Sequence, residues 1–187
     1  MKTLLTAVVS FFLSGCSGTQ EATTPAAAPA PGGLVAPSTP ESLAAPGDQR
    51  VLLKTSAGGA QIYVCKAGTD AAATFAWSLS APDAELTDDK GNKIGKHYAG
   101  PTWEAADGSK VVGQKKAQAD APEAGAIPWL LLTTKSSEGA GIMAGVKTIQ
   151  RVDTHGGKAP AEGCDAARAG AEVRVPYTAT YYFHGAR

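Results

Sequence analysis

The chain has 187 residues, with 17 Lys and Arg against 17 Asp and Glu, so it carries no formal net charge at pH 7. That balance excludes the basic face and high isoelectric point of a nucleic-acid binder; the adjacent pair Lys115-Lys116 reads as a solvated strand end. Three cysteines and three histidines leave little material for a metal centre.

From the N-terminus, Leu4 to Leu13 is apolar except for Thr6 and Ser10, and it follows Lys2. The run is too short to cross a bilayer as a helix, which takes about 20 residues. A positive residue, a short apolar core and small residues at the cut match an export signal. Leu13-Ser14-Gly15-Cys16 resembles a bacterial lipobox, in which the cysteine is acylated and becomes the new first residue. Residues 1–15 are then a lipoprotein signal peptide and Cys16 the lipidation site. Each buried acyl methylene is worth roughly 0.8 kcal/mol, and two or more chains give lasting attachment. Ser17, rather than Asp, after the cysteine implies the outer membrane where the host has one. Residues 16–46, rich in Ala, Pro, Thr and Gly, are expected to form a disordered tether: they bury too little apolar surface to offset their ordering entropy.

Residues 47–187 read as one all-β domain, an antiparallel sandwich or barrel of many short strands. Gln49 to Thr55 and Ala60 to Cys65 are strand-like and separated by Ala57-Gly58-Gly59, a turn signal. Phe75, Trp77 and Leu79 alternate with small or polar residues, the pattern of a half-buried strand. Glu85 to Thr87 and Lys93 to Tyr98 flank Asp88-Asp89-Lys90-Gly91-Asn92, a turn. Asp107-Gly108-Ser109 reverses the chain before Lys110 to Gln114. Ile127 to Thr134, Val146 to Asp153, Glu172 to Tyr177 and Thr180 to His184 complete the set, and no run of helical periodicity with caps interrupts it. In an oxidising compartment Cys65 and Cys164 are expected to be bridged.

His97 to Glu104 is the candidate site. It gathers an imidazole, a phenol, an indole and a carboxylate around Gly100-Pro101, which bends the chain. Tyr98 and Trp103 can form a platform for a sugar, peptide or cation, and His97 and Glu104 can exchange protons or accept hydrogen bonds. The same residues also fit a structural role, with Trp103 in the core, Tyr98 at a sheet edge and His97–Glu104 a satisfied pair. His97, His155 and His184 lack metal-ligand spacing, so no metal is expected. Gly139-Ala140-Gly141-Ile142-Met143-Ala144-Gly145 misses the dinucleotide fingerprint by one position and precedes a β-rich run, so it reads as a hairpin loop and no cofactor is expected. Arg151 reads as a sheet-surface partner of Glu104 or Asp153.

Gly59-Ala60-Gln61-Ile62-Tyr63-Val64-Cys65, Gly91 through Glu104, Ala126 through Leu132, Ile149-Gln150-Arg151-Val152, Gly156 through Cys164 and Val175-Pro176-Tyr177-Thr178-Ala179 follow one another in order. This series resembles an uncharacterised family of secreted bacterial and fungal proteins, domain of unknown function 3455. The resemblance implies an exported location and carries no activity across. The reading that results is an envelope lipoprotein, held to the membrane by its lipid, whose β-domain binds a cell-wall polymer, a carbohydrate or a protein. Two alternatives stand beside it: a structural envelope protein without a discrete site, and a hydrolase or lyase using His97 and Glu104.

Overall fold

The computed structural model describes residues 33–68 and 74–187; the expected signal peptide, Cys16 and the expected tether as far as residue 32 lie outside the described residues. Eight antiparallel strands follow one another in chain order: β1 (Gln49–Ala67), β2 (Phe75–Thr87), β3 (Lys93–Tyr98), β4 (Thr102–Ala105), β5 (Lys110–Ala119), β6 (Trp129–Glu138), β7 (Thr148–Gly156) and β8 (Glu172–Ala186). Each pairs with the next, and β8 returns to β1, closing the sheet into an up-and-down barrel. The all-β reading holds, and of its two architectures the barrel is the one adopted. Closure gives every strand a neighbour on both sides, although among the described residues β2 before Ala84 bonds only to β1 and β5 beyond Gly113 only to β6, because β3 and β4 are short.

The strands are fewer and longer than the sequence suggests. Ala57-Gly58-Gly59 is not a turn: β1 runs straight through it, pairing with β2 on one side and β8 on the other. Gly59 is there for close approach, because a Cβ at that position would run into the Asp83 carbonyl of β2. Glu85 to Thr87 likewise belongs to β2, and the two C-terminal segments merge into β8. Bulges at Val51/Leu53 and Ile62/Tyr63 bend β1. The turn at Asp88 to Asn92 forms as expected: the Asp88 carboxylate accepts from the Lys90 and Asn92 amides, and Gly91 takes φ +81°.

Alternation sorts each strand between interior and water. Leu86, Trp103, Val111, Leu132, Ile149, Tyr181 and Phe183 fill the barrel. The outer face carries ion pairs such as Lys54–Asp89, Lys110–Glu138 and Arg174–Asp83. This is the reverse of a membrane barrel, whose outer band is apolar. The β6–β7 loop closes one end with Met143 and Val146, tied down where the Asp107 carboxylate accepts from the Ile142 amide and Ser109 Oγ from the Met143 amide. Ala126, Ile127 and Gly157 close the other.

Part of the expected tether is docked. Glu41–Leu43 forms a 3-10 turn against β5 and β6, with Leu43 fully buried. Its carbonyl accepts from Gln150 Nε2 at 2.6 Å, and Gln150 Oε1 accepts in turn from His184 Nε2 at 2.7 Å. This cover explains why Leu131, Gln150 and His184 are buried on the outer side of β6–β8.

Cys65 and Cys164 form a disulfide that ties the end of β1 to the β7–β8 loop across 99 residues of sequence. Crosslinking a loop of that length restricts the unfolded chain strongly. Replacing both cysteines by alanine should lower the unfolding free energy by about 2–4 kcal/mol, read as a fall in the urea midpoint. An unchanged midpoint would show that the staple contributes nothing.

Candidate functional site

The His97–Glu104 segment forms the β3–β4 hairpin, turned by Ala99-Gly100-Pro101 with Gly100 at φ +128° and the Thr102 hydroxyl donating to the Ala99 carbonyl at 2.8 Å. His97 sits opposite Trp103 and Lys96 opposite Glu104. Because neighbouring side chains on a strand point to opposite faces, the four candidate residues separate. His97 and Trp103 go into the barrel, and Tyr98 and Glu104 go to its outer face.

Inside, the imidazole stacks on the indole with ring centroids 4.3 Å apart, and Tyr181 stands edge-on to both at 5.3 Å. His97 is 2% exposed and Trp103 1%. The Thr102 carbonyl, 2.8 Å from Nδ1, fixes the ring proton there, since a carbonyl only accepts. Burial holds the His97 pKa down to about 3, so the ring stays neutral at physiological pH. Outside, the Tyr98 hydroxyl donates to Glu104 Oε2 at 2.6 Å and Lys96 Nζ lies 3.3 Å from Oε1. The Tyr98 hydrogen bond, then Lys96, hold the Glu104 carboxyl below its usual range. His97 and Glu104 therefore form neither a satisfied pair nor an acid–base pair. Trp103 is no platform, and Tyr98 is engaged by a carboxylate.

The polar groups that lack partners lie deeper. Arg151 pairs across the sheet with Tyr181 and Leu130 and so points into the barrel, where the sequence reading had it on the surface beside Glu104 or Asp153. Its Nε and Nη2 donate to the Pro128 carbonyl at 3.1 and 2.8 Å. Among the described residues no carboxylate lies within 4.0 Å of it. Beside it are the hydroxyls of Tyr177 and Tyr181 and the amide of Gln61. These three residues are 3%, 0% and 2% exposed. Among the described residues neither hydroxyl has a partner at hydrogen-bond geometry, nor does Gln61 Nε2. Trp103 Nε1 is a further buried donor without an acceptor. Each such group left unpaired costs about 1–3 kcal/mol. Burial, the larger cause, pushes the pKa of both tyrosines above the ordinary range, so both keep their protons. Gly157 presses on this cluster: at φ +84°, a Cβ there would lie 2.8 Å from Tyr177 Cβ and 3.3 Å from Gln61 Cγ. Tyr63 completes the wall, its hydroxyl donating to the Gly157 carbonyl at 2.6 Å.

Sequence reasoning missed Arg151, Gln61, Tyr177 and Tyr181 as a group. They sit on three strands that meet only when the barrel closes. A shallow groove of about 440 Å³ crosses the outer face, lined by Ser56, Gly58, Glu85, Asp153, His155 and Thr178, with Asp153 at φ +48°. It includes none of the four candidate residues. His155 there is held by Glu123 at 2.5 Å. Among the described residues no three His, Cys, Asp or Glu side chains converge as metal ligands would.

His97 links stability to pH. It is neutral when folded down to about pH 3 but protonates near 6.5 once unfolded, so the unfolded chain binds the extra proton and stability falls as pH drops through that window. The slope reaches at most about 1.4 kcal/mol per pH unit. His184, also held down by burial, adds in the same direction. In His97→Gln the fall in urea midpoint between pH 6.5 and 5 should shrink to the His184 part; a slope equal to wild type would contradict the neutral, buried ring. Trp103→Ala should cost about 3–5 kcal/mol, whereas Tyr98→Phe on the outer face should stay within about 0.5 kcal/mol. Equal costs, measured in the same urea titrations, would contradict the two-faced hairpin.

Comparison with known proteins adds one finding. No curated protein and no solved structure matches the chain. The family described as Protein of unknown function (DUF3455) matches residues 46–185, more than half of the chain and all eight strands up to Gly185 in β8. The chain belongs to that family.

Proposed function

We propose that this protein is an exported envelope lipoprotein, acylated at Cys16, that presents its barrel as a binding or surface-interaction module. The observation that carries the binding part is the Arg151 cluster: among the described residues, a cation without a carboxylate within 4.0 Å and three nine-tenths-buried polar side chains without a partner at hydrogen-bond geometry. A fold under no demand beyond stability has no reason to keep such groups inside, since apolar replacements of similar shape avoid the penalty. Eight-stranded barrels are of a size to fill with side chains or hold one small ligand. The Cys65–Cys164 bridge supports an oxidising, extracytoplasmic location. The Leu13-Ser14-Gly15-Cys16 sequence supports acylation. A cell-wall polymer, carbohydrate or protein partner would meet the charged outer face.

A second reading, a structural envelope protein with no discrete site, is favoured by the burial of His97 and Trp103, which turns the most aromatic segment into core. The hydrolase or lyase alternative loses support, because its two residues lie on opposite faces of one hairpin.

Cell fractionation tests the anchor. The full chain should pellet with membranes and be released by detergent, and Cys16→Ala should move to the soluble fraction. Equal pelleting of the two would overturn the lipid anchor.

A further inference from the structure

We propose that the barrel interior holds a site for a small carboxylate, bound by the Arg151 guanidinium and by the hydroxyls of Tyr177 and Tyr181 together with the Gln61 amide. This rests on reading the barrel as a binding module and names the chemistry of its ligand. Each of the four groups can donate a hydrogen bond. Arg151 offers only N–H donors, of which Nε and Nη2 already serve the Pro128 carbonyl. Gln61 Nε2 is a donor without an acceptor. Tyr177 and Tyr181 keep their hydroxyl protons, and among the described residues neither hydroxyl has a partner at hydrogen-bond geometry. A set of donors around a fixed cation, with no carboxylate within 4.0 Å among the described residues, is complementary to an anion.

The size of the charge selects among anions. Within this part of the barrel Arg151 is the ionised group among the described residues: His97 is neutral, and the tyrosines hold their protons. One positive charge in a low-dielectric interior matches one negative charge, which favours a carboxylate over a phosphate dianion. Geometry favours it too, because a planar carboxylate takes donors in its plane from a guanidinium and from hydroxyls at the same time. Arg151 is only partly buried, so its end of the cluster reaches solvent, whereas Tyr181 forms the floor. Tyr181 lies 5.3 Å from Trp103, which places an indole next to the site.

Acetate is the probe. Thermal unfolding of the purified full chain is followed at constant ionic strength while sodium acetate replaces sodium chloride. The midpoint should rise with acetate, by about 3–6 °C at tenfold over half-saturation. In Tyr177→Phe, which keeps the ring and removes one unpartnered hydroxyl, the rise should fall at least about threefold, and in Arg151→Gln it should vanish. The tyrosine variant keeps the test decisive should the arginine variant not fold. No rise in wild type, or an equal rise in both variants, would overturn the carboxylate site and point to internal water as the partner of these donors. An equal rise with sulfate at the same ionic strength would overturn the selection for a single charge. A failed acetate titration with Cys16→Ala still released from membranes would leave the lipid anchor standing; acetate binding by a chain that never pellets would leave this site standing without it.

Discussion

β1 and β8 exchange main-chain hydrogen bonds along Gln49–Val64 and Glu172–Ala186, and this seam turns an eight-stranded meander into a closed wall. An open sheet of these strands would leave two long edges and one exposed apolar face. Closure removes both problems and fixes which residues share the interior. It also brings Gln61 of β1, Arg151 of β7, and Tyr177 and Tyr181 of β8 onto one inner surface. The disulfide acts at the same seam: Cys65 lies near the end of β1, and its amide and carbonyl bond the chain at Ala171 and Gly170 just before β8 begins.

Within that wall, the two halves of the interior solve different problems. Toward the β6–β7 loop the core is conventional, with Leu86, Ile149 and Phe183 packed beneath Met143 and Val146. Toward Ile127 and Gly157 it becomes polar, and there the hydrogen-bond ledger does not close. The His97–Trp103–Tyr181 stack lies between. A stack of neutral rings gives the polar groups a rigid floor without adding charge. The stability of the fold and the chemistry of the site are therefore separable in position though not in sequence, since Tyr181 belongs to both.

Much of the fold was legible because alternation is a local signal. Lys93 to Tyr98 has the bounds of β3, and Phe75-Trp77-Leu79 announces the start of β2. What failed was punctuation. Ala57-Gly58-Gly59 looks like a turn, but Gly59 serves a close backbone approach to Asp83 inside a strand, which depends on a partner distant in sequence. β4, four residues long, is too short to show a period of its own. The site was less legible still. His97, Tyr98, Trp103 and Glu104 were grouped by proximity in sequence, and the pleat of two short strands divides them between core and surface. Arg151 looked like a surface residue because a charge on a β-patterned run reads as a partner for Glu104 or Asp153, and only its register opposite Leu130 and Tyr181 turns it inward. The neighbouring Gln150 is buried on the outer side of β7, where it meets the docked Leu43. The boundary between tether and domain shifts for the same reason, since Leu43 lies before the expected start of the domain at residue 47.

Closure is the claim on which the interior and its cluster rest, and amide hydrogen exchange measures it directly. Successive amides of β1 between Ser56 and Val64 point alternately toward β2 and β8. In a closed barrel both sets are protected, with opening free energies near that of global unfolding. Protection of one set alone, with the amides facing β8 exchanging as freely as an open edge, would contradict the closed barrel and with it the placement of Arg151, Tyr177 and Gln61 in a common interior.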